Sequence, residues 1–183
     1  DFSRPPAFKE AEETAKGFKV PKGLTISCFA AEAQLVSPVS ITTYSKGRLY
    51  VSETFRAWGN GGLDMRKFPS EWYDDDLASR TVEDRVKWVT RRAGEDAKNL
   101  TLDSDRVRII EDVDGDGKAD TAGIFSDDYH AVADGIAAGI LARKGEVYLA
   151  NIPSLYLLKD TKGDGHADSK KILATGFGVH YQL

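Results

Sequence analysis

The sequence predicts an all-β fold: part of a β-propeller, about two to three blades, with a helical insertion near residues 55–105. Three observations carry that prediction. An acidic loop occurs twice, with its copies 48 residues apart at Asp112 and Asp160. Short runs of alternating apolar residues, bounded by Gly, Asp, Pro and Ser, fill most of the chain. Between them lies a stretch of about 50 residues whose periodicity is helical.

The runs read as antiparallel strands. Leu24-Thr-Ile-Ser-Cys-Phe29 alternates with period two, and so does Arg48-Leu-Tyr-Val-Ser52 after the turn signal Ser45-Lys-Gly47. Arg106-Val-Arg-Ile-Ile110 leads into the first acidic loop. Gly145-Glu-Val-Tyr-Leu149 follows a second Lys-Gly turn. Ser154-Leu-Tyr-Leu-Leu158 leads into the second acidic loop, and Lys171-Ile-Leu-Ala174 follows it. Gly47-Arg-Leu-Tyr-Val51 aligns with Gly145-Glu-Val-Tyr-Leu149. The second glycine precedes its acidic loop by 15 residues and the first by 65, which places an insertion of 50 residues at about Phe55 to Asp105. In it, Thr81-Val-Glu-Asp84 has the form of a capping box, and Val82, Val86 and Val89 recur at helical spacing. Gly94 can supply a left-handed end, so one helix is expected over 82–93.

A repeat of about 48 residues holding four short strands has the size of a propeller blade, and propellers close with about four to eight of them. The expected organisation is therefore the N-terminal part of a propeller domain over 1–183, with the insertion inside its first blade. An incomplete ring leaves strand edges unpaired. The expected partner is the remainder of the propeller or a partner chain.

Hydrophobic residues make up 41% of the 183 and charged residues 30%, as in a globular protein. Net charge is −4 and no basic stripe appears, which argues against a nucleic-acid partner. No apolar run reaches the length of a membrane span. The opening Asp1-Phe-Ser-Arg-Pro-Pro6 lacks the pattern of a signal peptide, so the expectation is that any leader has been removed or never existed. Cys28 is the only cysteine, in an apolar alternation that suits a buried thiol, and there is no CxxCH for haem c.

The acidic loops carry the clearest chemistry. A calcium loop of the EF-hand type takes oxygen ligands at positions 1, 3, 5, 7 and 9, with glycine at 6 for the sharp turn. The first loop offers Asp112, Asp114, Asp116, the Lys118 carbonyl and Asp120, with Gly117 at position 6. Position 12 is Gly123 in place of the usual bidentate Glu. Four carboxylates so close repel one another unless a cation neutralises them. The alternative is a solvated Asp-Gly turn. The second loop offers Asp160, Asp164, the carbonyl of His166 and Asp168. Lys162 stands at its third position, where an ammonium can replace the ion, so weaker calcium binding is expected there.

A second constellation is Arg56, Asp64 and Arg66 around Trp58-Gly-Asn-Gly-Gly62. Paired guanidinium forks and a Gly-rich turn suit an anionic or polyhydroxylated ligand such as a carbohydrate. Equally, an Arg–Asp pair can stitch the insertion to the blade. His130, after Asp127-Asp-Tyr, and His180 are candidate bases, or else structural histidines. No Ser-His-Asp set, P-loop, dinucleotide fingerprint or zinc spacing is present.

Several stretches share a further likeness. They are Pro38-Val-Ser-Ile41, Gly47-Arg-Leu-Tyr-Val-Ser-Glu53, Asp74 to Arg85, Arg106 to Asp120, Asp134-Gly-Ile-Ala-Ala-Gly139, Pro153 to Asp160 and Thr175-Gly-Phe-Gly178. Their order and content from about Pro21 onward resemble the N-terminal propeller region of large exported bacterial proteins described as membrane-bound dehydrogenases. That family often carries a haem c domain. Its propeller is similar in turn to glucose/sorbosone dehydrogenases, which use pyrroloquinoline quinone and calcium. The resemblance implies a periplasmic or extracellular protein of the quinone-dependent sugar or alcohol dehydrogenase type. It also implies that the catalytic histidine lies near or beyond Leu183, so that this segment alone is inactive.

Overall fold

The computed structural model describes residues 6–45, 47–57 and 69–177. The described residues are mostly β, with eight strands in two four-stranded antiparallel sheets. Helix α1 (Pro6–Ala15) comes first. The first sheet has the order β1 (Pro38–Tyr44), β2 (Arg48–Glu53), β3 (Asp105–Glu111), β4 (Thr121–Tyr129). The second has the order β5 (Ala137–Arg143), β6 (Glu146–Asn151), β7 (Ser154–Lys159), β8 (Ser169–Thr175). Each sheet is a meander, and the two acidic loops join β3 to β4 and β7 to β8. The sheets pack through β1 and β2 against β5.

Burial explains the strands. Tyr50, Val107, Ile109, Phe125 and Tyr129 of the first sheet meet Ala137, Ile140, Val147, Leu149 and Leu158 of the second in one buried cluster. On the far face of the first sheet, Val51, Ile110, Ala119 and Ala122 are covered by Phe29, Ala30 and Leu35. Because both its faces are covered, β2 is buried at Tyr50, Val51, Ser52 and Glu53 in succession and loses the expected alternation.

The insertion runs from Thr54 to Ser104, between hydrogen-bonded neighbours β2 and β3. It contains α2 (Glu71–Ala78), α3 (Val82–Ala93) and a 3₁₀ stretch (Gly94–Thr101). Helix α3 has the expected bounds. Its Thr81 hydroxyl accepts from the Asp84 amide, the Asp84 carboxylate accepts from the Thr81 amide, and Gly94 ends it at φ +55°. Trp72 and Trp88 pack edge to face, with Val89, inside the insertion.

Leu24–Phe29 departs from expectation. It forms no paired strand, because a strand needs a hydrogen-bonded neighbour and no strand of the described residues pairs with it. No helix of the described residues is long and apolar enough to cross a membrane.

Candidate metal centre

The meander puts two kinds of connection at opposite ends of the sheets. At one end, the β1–β2 turn meets the first acidic loop, where the Asp112 amide donates to the Gly47 carbonyl at 3.1 Å. A side chain at residue 47 would bring its Cβ within 2.7 Å of the Asp112 carbonyl oxygen, so this approach requires glycine. The other end holds the insertion, the β4–β5 connection and the β6–β7 turn.

The first loop is ordered by its own carboxylates. Asp112 accepts from Gly115 N through Oδ1 (2.7 Å) and from Gly117 N through Oδ2 (2.9 Å). Asp114 Oδ1 accepts from Asp116 N (3.0 Å), and Asp116 Oδ1 from Lys118 N (2.9 Å). Asp120 Oδ2 accepts from Val113 N (2.7 Å) and closes the ring. Gly117 sits at φ +84° and its counterpart Gly165 at +83°, which only glycine adopts without strain at the sharp turn.

The outcome is convergence. Carboxylate oxygens of Asp112, Asp114 and Asp116 lie within 4.8 Å of one another, close enough to share one cation. Each carboxylate oxygen has two lone pairs, so an oxygen that already accepts an amide still has one for a metal. The donor set is all hard oxygen, which fits calcium and does not fit a soft metal. Lys118 turns its side chain away, to an ion pair with Glu12 and the ring of Phe8 on α1. Its carbonyl stays in the loop.

The second loop repeats the scaffold. Asp160 accepts from Gly163 N (2.6 Å) and Gly165 N (2.9 Å), Asp164 from His166 N (3.0 Å), and Asp168 from Thr161 N (3.1 Å). Partial burial works against ionisation of Asp160, but the amides of Gly165, Gly163 and Asp164 outweigh it and hold the pKa below the usual range. The Thr161 hydroxyl and amide depress Asp168 in the same way. No convergent triad forms here, because Lys162 replaces the third-position acid. Its Nζ stands 3.9 Å from Asp168 Oδ2. His166 Nδ1 lies 3.1 Å from the Ile124 carbonyl, docking the loop onto β4.

At the opposite end, Arg56 is fully buried. Its guanidinium donates to the carbonyls of Leu100 (2.9 Å), Asp103 (3.1 Å), Ala131 (3.3 Å) and Asp134 (2.8 Å). Through these carbonyls it stitches the insertion to the β4–β5 connection. Burial lowers its pKa. Asp64, Arg66 and His180 lie outside the described residues.

His130 donates from Nδ1 to the Thr101 carbonyl (2.8 Å) and from Nε2 to Asp128 (2.7 Å) when protonated. The Thr101 carbonyl first, then the Asp128 carboxylate, raise its pKa above the ordinary value near 6.5. The folded state therefore holds this proton more tightly than the unfolded chain. The resulting stabilisation is full below the unfolded pKa and is lost as pH rises through the folded one. It is small, because both partners are largely exposed. An NMR titration is expected to place this imidazole above a free histidine, and Asp128→Asn to move it down. An unshifted His130 would show that the pairing does not form in solution.

Two buried acids were not singled out by the sequence. Asp105 accepts from the Thr54 hydroxyl (3.0 Å), Phe55 N (2.8 Å), Arg56 N (3.2 Å) and Ala137 N (2.6 Å), joining the insertion and β5 to β3. Glu53 accepts from Val36 N (2.7 Å) and pairs with Arg106 and Arg108. Glu53 closes β2 and Asp105 opens β3, so only their position at a strand end marked them.

Neither Arg56 nor His130 offers a free side chain to pyrroloquinoline quinone. Arg56 is committed to four carbonyls and His130 to Thr101 and Asp128. With one cysteine, haem c has no attachment motif in this chain. Neither the curated proteins nor the solved structures compared with the chain include a match. A family profile, that of the domain of unknown function DUF7133, matches residues 10–182. Since that span is nearly the whole sequence, the chain belongs to the DUF7133 family.

Proposed function

We propose that this chain forms two blades of an exported, periplasmic or extracellular β-propeller, and that calcium at the first acidic loop braces it. The observation that carries the reading is the contrast between two loops on one scaffold. Only the first brings three carboxylates within 4.8 Å, while the second carries Lys162 at the equivalent place. The brace fits the location, since the loop ties β3 to β4 and, through Lys118, to α1.

Calcium at 100-fold its dissociation constant stabilises the folded state by about 2.7 kcal/mol. A chelator is therefore expected to lower the melting temperature of the wild type. Asp114→Ala should melt near the chelated value and ignore the chelator. A wild type whose melting is indifferent to chelation sinks the brace.

The dehydrogenase resemblance places the chemistry outside these residues. Supporting this, the histidine and the arginine that the sequence offered and the structure describes are engaged in the scaffold. A dye-linked assay with calcium and pyrroloquinoline quinone is expected to show no sugar or alcohol oxidation by this segment. Turnover would relocate the site into it. Inactivity of the full-length gene product across a broad panel would favour a non-catalytic propeller that binds polysaccharide or protein.

A further inference from the structure

We infer that Leu24–Phe29 is the outermost strand of a further blade, and that the third strand of an otherwise three-stranded sheet, supplied by the remaining chain of the full-length protein, pairs with it. This rests on the propeller reading above, but not on calcium.

One contact is repeated between the two acidic loops. In the second acidic loop, Ala167 N donates to the Phe125 carbonyl in β4 of the preceding sheet, at 2.7 Å. In the first loop, the equivalent Ala119 N donates to the Phe29 carbonyl at 2.8 Å. Phe29 thus stands where Phe125 stands, in an outermost strand. Phe125 is a bulge residue: the β3–β4 register passes from Ser126 to Ile124 and skips it. Leu173 is skipped in the same way between Ala174 and Ile172 of β8. The three positions form one series.

The connections after these strands repeat as well. Gln34 N donates to the Ala31 carbonyl and the Gln34 side chain accepts from Ala31 N. Asp134 N donates to the Ala131 carbonyl and the Asp134 side chain accepts from Ala131 N. The turn that leads from Ala31 into β1 therefore repeats the turn that leads from Ala131 into β5, reached two residues after Phe29 and six after Phe125.

What is missing is the neighbour. The amides of Thr25, Ile26, Ser27 and Cys28 make no hydrogen bond among the described residues. Leu24 and Ile26 are 62% and 46% exposed, and an open groove separates Ile26–Cys28 from α1. A free edge with apolar side chains is a template for strand addition. The repeat states what occupies it. The equivalent edge of β4 is paired with β3, the third strand of its sheet. A second copy of these residues does not supply that strand, because both sheets here already have four. The register follows: the incoming strand pairs with Thr25, Ile26, Ser27, Cys28 and Ala30, and skips Phe29.

Hydrogen–deuterium exchange on this 183-residue chain and on the full-length gene product tests the inference. Amides 25–28 are expected to exchange freely in the chain and about 100-fold or more slower in the full-length protein. A parallel measurement follows thiol labelling of Leu173→Cys in a Cys28→Ser background, which reports whether the outer face of the second sheet becomes covered. Unprotected amides 25–28 with slowed labelling at 173 would overturn the inference and leave the propeller standing. Unprotected amides with unchanged labelling would overturn both.

Discussion

Asp105→Ala is expected to be the most damaging substitution among the described residues, costing about 3–5 kcal/mol, because several donors lose their acceptor at once at about 1–3 kcal/mol each and these costs do not fully add. The carboxylate is fully buried and receives four donors. Three come from the first residues of the insertion and one from the start of β5, so a single side chain holds the insertion, the first sheet and the second sheet together. Removing it strands the amides of Phe55, Arg56 and Ala137 without their acceptor, the last two at buried residues. Each orphaned group costs desolvation energy that water cannot repay. Asp105→Asn keeps the shape but turns an amide donor toward donors, so it is expected to recover little. Urea unfolding is the measurement, read as a fall in midpoint. A midpoint within about 1 kcal/mol of wild type would mean the network contributes no more than an ordinary hydrogen bond.

Arg56→Met is the second large effect, with an expected loss of about 2–4 kcal/mol, since hydrogen bonds to a charged group carry about 1.5–3 kcal/mol each and do not add. Four carbonyls from two segments converge on one planar fork. Lysine is a point donor with three protons and cannot reproduce that spread, so Arg56→Lys should not rescue. The loss is expected to be local first. Protease should cut the insertion in Arg56→Met under conditions where the two sheets stay intact. Full rescue by lysine would show that charge alone, not the fork, is what the site needs.

The paired sheets were legible wherever a strand carried β-branched or aromatic residues between turn signals, as in β2, β3, β6 and β7. The helix over 82–93 was legible because its capping box and Gly94 are local features. Three strands were not. Strand β1 has strand composition in Val39, Ile41, Thr42, Thr43 and Tyr44 but opens on Pro38, whereas β4 carries Asp127-Asp128 near its end and β5 opens Ala137-Ala-Gly139, so those two lack the composition that marks a strand. Their pairing comes from neighbours already in place. Helix α1 carried a weak sign, Pro6 ahead of an Ala- and Glu-rich run, but offered little apolar face beyond Phe8 and Ala15. Of the candidate site residues, the acidic loops were readable because ligand spacing is written in consecutive residues. Arg56 was not, because its role depends on four carbonyls distant in sequence. Sequence shows an arginine among glycines and cannot show that carbonyls surround it.

Calcium titration by calorimetry, on the wild type and on Lys162→Asp, bears most directly on the central claim that one of two matching loops holds an ion. One site per wild-type chain is expected, lost in Asp114→Ala. Lys162→Asp should add a second site, because it restores the missing acid on a scaffold whose amide bonds are already in place. No calcium heat in the wild type, or two equal tight sites with Lys162 present, would contradict it.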